Sequence, residues 1–259
     1  MRRHLAFTCQ GEQLIGTLDH AQGTAGLLIV SGGNELRSGA FAGQAQLATR
    51  IAYAGYPVFR FDRRGIGDSE GENGTFRNSA PDIAAALAAF RDHVPHIERV
   101  VAFGNCDAAS ALMLAGGASC DALALSNPWT LEGDAAETAP PRAIRAHYRQ
   151  RLADPVAIRR LLSGKVSFAK LLGSLKAATA PPPPASSLAQ EMAQAIEGFG
   201  GQVRFLVAER DRTGQAFQAT WDTRDARIAR CPDASHAYVE TEARDWLFHQ
   251  LVALLEELA

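Results

Sequence analysis

Four cysteines and seven histidines are spread over 259 residues, and one of each stands in a context that would make it reactive. Cys106 lies at the centre of Gly104-Asn105-Cys106-Asp107-Ala108, with small residues two before and two after it. A nucleophile on a sharp turn between strand and helix has crowded backbone angles, and only small neighbours let the two segments pass. The run Val100-Val101-Ala102-Phe103 precedes the turn as a strand would, and Ala108-Ala109-Ser110-Ala111-Leu112 follows as a small-residue helix would. The helix start would offer the Asp107 N–H to a developing oxyanion and would favour the Cys106 thiolate. The competing account is a buried structural cysteine at a βα turn.

Two downstream residues supply what a nucleophilic cysteine needs. His236, in Pro232-Asp233-Ala234-Ser235-His236-Ala237, can withdraw the thiol proton or hold a thiolate–imidazolium pair. Asp211, in the loop Glu209-Arg210-Asp211-Arg212-Thr213, can orient the ring and support its charge, with Glu209 and Asp233 as rivals. His93, His96, His147 and His249 read as solvated side chains. A second oxyanion donor is expected from Val30-Ser31-Gly32-Gly33-Asn34, where two glycines allow close backbone approach and the N–H of Gly33 or Asn34 could point at the site. An ordinary glycine turn accounts for the same residues. Neither this run nor Gly65-Ile66-Gly67 fits a phosphate-binding loop, since one lacks the lysine and the other the third glycine.

These residues must be carried on an alternation of short apolar runs and amphipathic stretches, the pattern of a mostly parallel sheet flanked by helices. Strands are predicted at 4–9, 14–18, 26–30, 57–61, 99–103, 122–126, 203–208 and 227–231, the first two as an antiparallel pair. Helices are predicted at 42–54, 78–92, 108–114 and 243–258, the second begun by Ser79-Ala80-Pro81-Asp82. Cys106, Asp211 and His236 each fall just beyond a strand, so three loops would converge on one point.

The alternation is interrupted at 128–201, between core segments 1–127 and 202–259. Helical stretches there are broken by Pro140-Pro141 and by Pro181-Pro182-Pro183-Pro184, a run that forbids helix and favours extended polyproline II. From Arg142 to Lys176, nine Lys and Arg residues face the single acid Asp154. The segment is expected to be a basic helical lid in which Arg145 and Arg149 would meet an anionic substrate, such as a coenzyme A or carrier-protein thioester or an acidic saccharide, or an anionic membrane face. A solvated amphipathic face explains the same charges.

Composition narrows the classes. A chain with 47% hydrophobic and 21% charged residues can bury one sizeable core, and a net charge of −2 gives no general attraction to nucleic acid. No apolar run reaches the roughly 18 residues of a membrane span, so the chain is expected to be cytoplasmic. Cys9, Cys106, Cys120 and Cys231 are spaced neither as a disulfide framework nor as a zinc site, and no metal or cofactor is expected.

The motifs resemble those of α/β-hydrolases: Ser31-Gly32-Gly33-Asn34, Phe61-Asp62-Arg63-Arg64-Gly65-Ile66-Gly67-Asp68-Ser69, Gly104-Asn105-Cys106-Asp107-Ala108, Asp211 and His236. They are similar in particular to the exosortase A system-associated hydrolase 1 family of exopolysaccharide-producing bacteria. The resemblance implies the α/β-hydrolase fold, with an eight-stranded, mostly parallel sheet, a helical lid insertion and the chain order nucleophile, acid, histidine. The Cys-Asp-His set is also similar to those of dienelactone hydrolases and polyhydroxyalkanoate synthases. Two departures stand out: cysteine replaces the serine of most esterases, and Ser31 replaces a histidine beside the oxyanion loop.

A thiolate leaves a tetrahedral intermediate more readily than an alkoxide, so attack by Cys106 on a plain alkyl ester would mostly revert. The expected substrate is an activated acyl compound, such as a thioester, lactone or activated ester, free or carrier-bound. Hydrolysis and acyl transfer both run on such a site. Two other accounts remain: a non-catalytic hydrolase-fold partner, because a carboxylate at Asp107 opposes thiolate formation, and redox sensing, for which no resolving cysteine lies near in sequence.

Overall fold

The computed structural model describes residues 1–132 and 186–259. Strands β1 (Arg2–Cys9), β2 (Glu12–Asp19), β3 (Ala25–Val30), β4 (Val58–Phe61), β5 (Arg99–Asn105), β6 (Ala122–Ser126), β7 (Gln202–Ala208) and β8 (Ile228–Cys231) form one sheet. Their order is β1-β2-β4-β3-β5-β6-β7-β8. The hairpin β1–β2 is antiparallel and joins β4 antiparallel, and every other pairing is parallel. Parallel strands covered on both faces must be apolar throughout, and β3, β4 and β6 are buried at every position. Edge strand β1 alternates instead, with exposed His4, Ala6 and Thr8 on either side of half-buried Leu5 and Phe7.

Six helices flank the sheet among the described residues: α1 (Gly43–Tyr53), α2 (Ala80–His93), α3 (Asp107–Leu114), α4 (Ser187–Glu197), α5 (Arg212–Thr220) and α6 (Thr241–Leu258). On one face, Ile83 and Phe90 of α2, Leu112 of α3, Met192 of α4 and Phe217 of α5 pack in a single core. On the other, Leu47 and Ile51 of α1 meet Leu247 and Leu251 of α6 over Leu27, Ile29 and Phe103. The chain passes from β3 outward to β4 and then back to β5 on the other side, so the strand order reverses at β3. Loops leaving two such strands part in opposite directions and open a crevice at their carboxyl ends. Gly32 and Gly33 lie on one lip of that crevice and Cys106 on the other.

The eight expected strands are present, with ends shifted by one or two residues. Helix α5 differs from expectation: residues 212 and 213, read as loop, are its first turn, and Asp211 is its N-cap. Of the segment 128–201, α4 is helical and begins on Ser186, whose hydroxyl accepts from Ala189 N–H at 3.1 Å, a cap worth about 1 kcal/mol. The expected contacts of Arg145 and Arg149 and the proline run lie outside the described residues. No helix among the described residues is long and apolar enough to cross a membrane.

Candidate active site

Cys106 sits between β5 and α3 at φ 62° and ψ −127°, a conformation that costs a non-glycine residue on the order of 1–3 kcal/mol. The surroundings fix it there. Its N–H donates to the Ser126 carbonyl at 2.9 Å, and its carbonyl accepts from Ala109 N–H at 3.1 Å and Trp129 N–H at 3.3 Å. Gly104 is required by close approach: a Cβ there would stand 2.7 Å from the Ala108 carbonyl carbon and 2.8 Å from Ala109 N. The other cysteines, Cys9, Cys120 and Cys231, are buried, and burial pushes each of their thiols up.

His236 and Asp211 reach the elbow from the loops after β8 and β7. Nδ1 of His236 lies 2.9 Å from Oδ2 of Asp211, and the Cys106 side chain stands beside the imidazole. Both contacts favour the protonated ring. The hydrogen bond to Asp211 contributes most and the neighbouring Cys106 side chain next, and together they overcome burial and push the pKa up to about 10. The side chain is 43% exposed, so water screens part of this stabilisation. Asp211 is itself held by capping α5, its Oδ2 accepting from Gly214 N–H at 3.0 Å. Of the three candidate acids, Asp211 is the one paired with His236 among the described residues. The structure thus brings together Cys106, His236 and Asp211.

Two polar side chains, Asn105 of the elbow motif and Asn127 outside it, join the strand ends beneath this trio. Asn105 donates to the His236 carbonyl at 3.0 Å, and Asn127 donates to Asn105 Oδ1 at 3.0 Å while accepting from Ala208 N–H at 2.8 Å. One buried amide therefore ties β5 to the end of β7. Asn127 adopts φ 43°, which Asn tolerates better than most residues. Its only sequence signal is Asn-Pro just past a strand.

The expected oxyanion donors come close together, but one is engaged. Gly33, at φ 54°, donates its N–H to Asp107 Oδ1 at 2.6 Å. Gly32 leaves room for that carboxylate, since a Cβ there would meet the same oxygen at 2.6 Å. Buried Arg63 stands 4.0 Å from Asp107 Oδ2, donates to the Gly33 carbonyl and holds Ser79 Oγ at 2.8 Å. The side chain of Asn34 accepts from Asn73 at 2.9 Å. Among the described residues no group of three or more His, Cys, Asp or Glu is arranged to hold a metal.

A family model described as alpha/beta hydrolase family matches residues 27–250. No curated protein matches the chain. Solved structures share the fold. The Pyrococcus furiosus esterase Pf2001 is 12% identical at a TM-score of 0.61, over 99% of this chain and 91% of that one. The alpha/beta hydrolase GrgF from Penicillium sp. sh18 is 16% identical at a TM-score of 0.62, over 99% and 98%. XC6422 from Xanthomonas campestris, described as an a/b serine hydrolase without lid, is 15% identical at a TM-score of 0.59, over 99% and 94%.

Proposed function

Since the chain belongs to the alpha/beta hydrolase family, we propose that it is a cysteine hydrolase of activated acyl compounds, acyl thioesters above all. The observation that carries this is the convergence of Cys106, at a strand-to-helix elbow, with the paired His236 and Asp211. In the first half-reaction the Cys106 thiolate attacks the acyl carbon. The carbonyl oxygen takes the negative charge beside the Asp107 N–H at the start of α3. Collapse breaks the bond to the leaving thiolate, which receives the His236 proton, and leaves a thioacyl-Cys106. In the second, His236 takes a proton from water as it attacks that thioacyl group, the acid departs and the thiol proton balance is restored. An alcohol or amine in place of water makes the same enzyme an acyltransferase. The motif resemblance to the exosortase A system-associated hydrolase 1 family supports a role in exopolysaccharide assembly.

Incubation with a panel of acyl thioesters and activated esters, followed by intact-protein and peptide mass spectrometry, tests this. An acyl increment on the peptide holding Cys106, lost in Cys106→Ala, is expected. If no compound leaves an increment and Cys106 alkylates no faster than a free thiol near neutral pH, the protein is not this enzyme.

A second reading, a hydrolase-fold partner protein without turnover, is favoured by one observation: the Asp107 carboxylate on the Gly33 N–H. In that case the alkylation test gives an ordinary thiol and no acyl increment forms.

A further inference from the structure

A cavity of about 490 Å³ lies on the face of the sheet opposite α3, between α1, α6, the loop after β3 and the loop that carries His236. Its size is that of a small-molecule site. Phe103 of β5, Leu47 of α1 and Leu247 of α6 give it an apolar lining. Asn105 and Ala237 also line it, and these are the chain neighbours of Cys106 and His236. Because the Asn105 amide donates to the His236 carbonyl, the wall of the cavity is also part of the support of the catalytic trio. The mechanism above leaves this space unused.

Its entrance has two costly features. Phe41 is 85% exposed and Val239 45% exposed, one on each loop. Phe41 and Ala42 are consecutive left-handed residues, at φ 52° and 57°, and Tyr238 on the opposite loop stands at φ 51°. Strained backbone of this kind persists where the surroundings hold it, and it collects at ligand clamps. The loop after β3 is held by its own hydrogen bonds: Glu35 accepts from Ala40 N–H at 3.1 Å and from Gln44 at 3.3 Å. The charges around the cavity balance, Glu35 and Asp245 against Arg50 and Arg244, and Arg50 pairs with Asp245 at 2.8 Å. An apolar lining under a neutral rim selects an uncharged group.

We propose that this cavity binds the neutral alkyl or aryl group of the acyl compound attacked at Cys106. The proposal rests on the thioacyl chemistry above for its substrate, and on the cavity alone for its site. Gly43 offers a clean probe. It lines the cavity, its φ of −60° is helical, and a Cβ there would meet nothing within 4 Å. Gly43→Phe therefore introduces a ring at the cavity without forcing the backbone.

Turnover of acetyl and octanoyl thioesters by wild type and Gly43→Phe is compared, together with binding of an unreactive octanoyl amide by calorimetry. The expected result is a loss of about tenfold in kcat/KM for the octanoyl substrate with the acetyl substrate nearly unchanged, and weaker amide binding. Equal losses on both substrates, or no loss on either, overturn the proposal. If wild type turns over neither thioester, the thioacyl chemistry has failed. The amide then decides the site: binding weakened by Gly43→Phe upholds an apolar site, and binding indifferent to it removes the site as well.

Discussion

The backbone N–H of Gly33 donates to Oδ1 of Asp107 at 2.6 Å, so the side chain after the proposed nucleophile occupies a donor that the sequence assigned as a candidate for the oxyanion. Removing one oxyanion donor from a hydrolase costs up to about 3–4 kcal/mol, and freeing one held at an exposed contact recovers only a part of that. Asp107→Ala keeps the backbone N–H at 107 and frees that of Gly33. Acylation is expected to quicken by roughly three- to tenfold in kcat/KM, while stability falls by about 0.3–1 kcal/mol through loss of an acid at the first turn of α3. Slower acylation in stopped-flow measurements would instead make the carboxylate a positioning group that holds the Gly33 loop against the elbow.

Asn127 is fully buried and bridges strands that carry two members of the trio. In Asn127→Ala the Ala208 N–H loses its acceptor, a buried vacancy worth about 1–3 kcal/mol, and alanine must take a φ of 43°. Urea unfolding should show a loss of roughly 2–3 kcal/mol, with turnover reduced because Asn105 no longer has a fixed partner from which to hold the His236 carbonyl. An unchanged midpoint would mean that water replaces the amide without cost.

The central strands were legible because each is a short apolar run ended by a polar or glycine turn, which burial on both faces demands, and edge strand β1 because it alternates. Cys106, Asp211 and His236 were legible because each lies just past such a run. Helix α5 was not: Arg212–Thr220 holds two threonines and a glycine and buries Gln215 and Gln218, so neither propensity nor apolar period marks it. It begins where Asp211 caps it, and that second duty of Asp211 appears only in three dimensions. The same holds for Gly33 and Asp107, which are 74 residues apart in sequence. Asn127 went unread because a single asparagine after a strand looks like any turn.

Gly104 tests the elbow by volume. A methyl group at this position would lie within 2.7–2.8 Å of the Ala108 and Ala109 backbone, where no flexible side chain can yield. Gly104→Ala must push α3 away from β5 and is expected to destabilise by about 2–3 kcal/mol, with Cys106 displaced and thioester turnover lost. Gly43→Ala makes the control, since its Cβ enters open space in helical geometry and should stabilise by about 0.4–1 kcal/mol. Thermal melts that rank the two variants the other way would contradict the packing described for the elbow.

His236 links the site to pH. Its folded pKa is raised, from an ordinary 6.5 to about 10, chiefly by the hydrogen bond to Asp211. A raised value means that the folded protein binds the proton more tightly than the unfolded chain, so the stabilisation is fully present below pH 6.5 and disappears as pH rises through about 10. In the proposed acylation the same proton passes to the leaving thiolate, so that step should also fall on an alkaline limb near pH 10. Asp211→Asn removes the largest support, leaving the contact with Cys106. The alkaline limb of kcat/KM should then move down toward neutrality, and the stability difference from wild type should be largest below pH 6.5 and narrow as pH rises. Rate profiles and urea titrations from acid to alkaline pH measure both. An alkaline limb that stays in place in Asp211→Asn would mean that Asp211 caps α5 without governing the His236 proton.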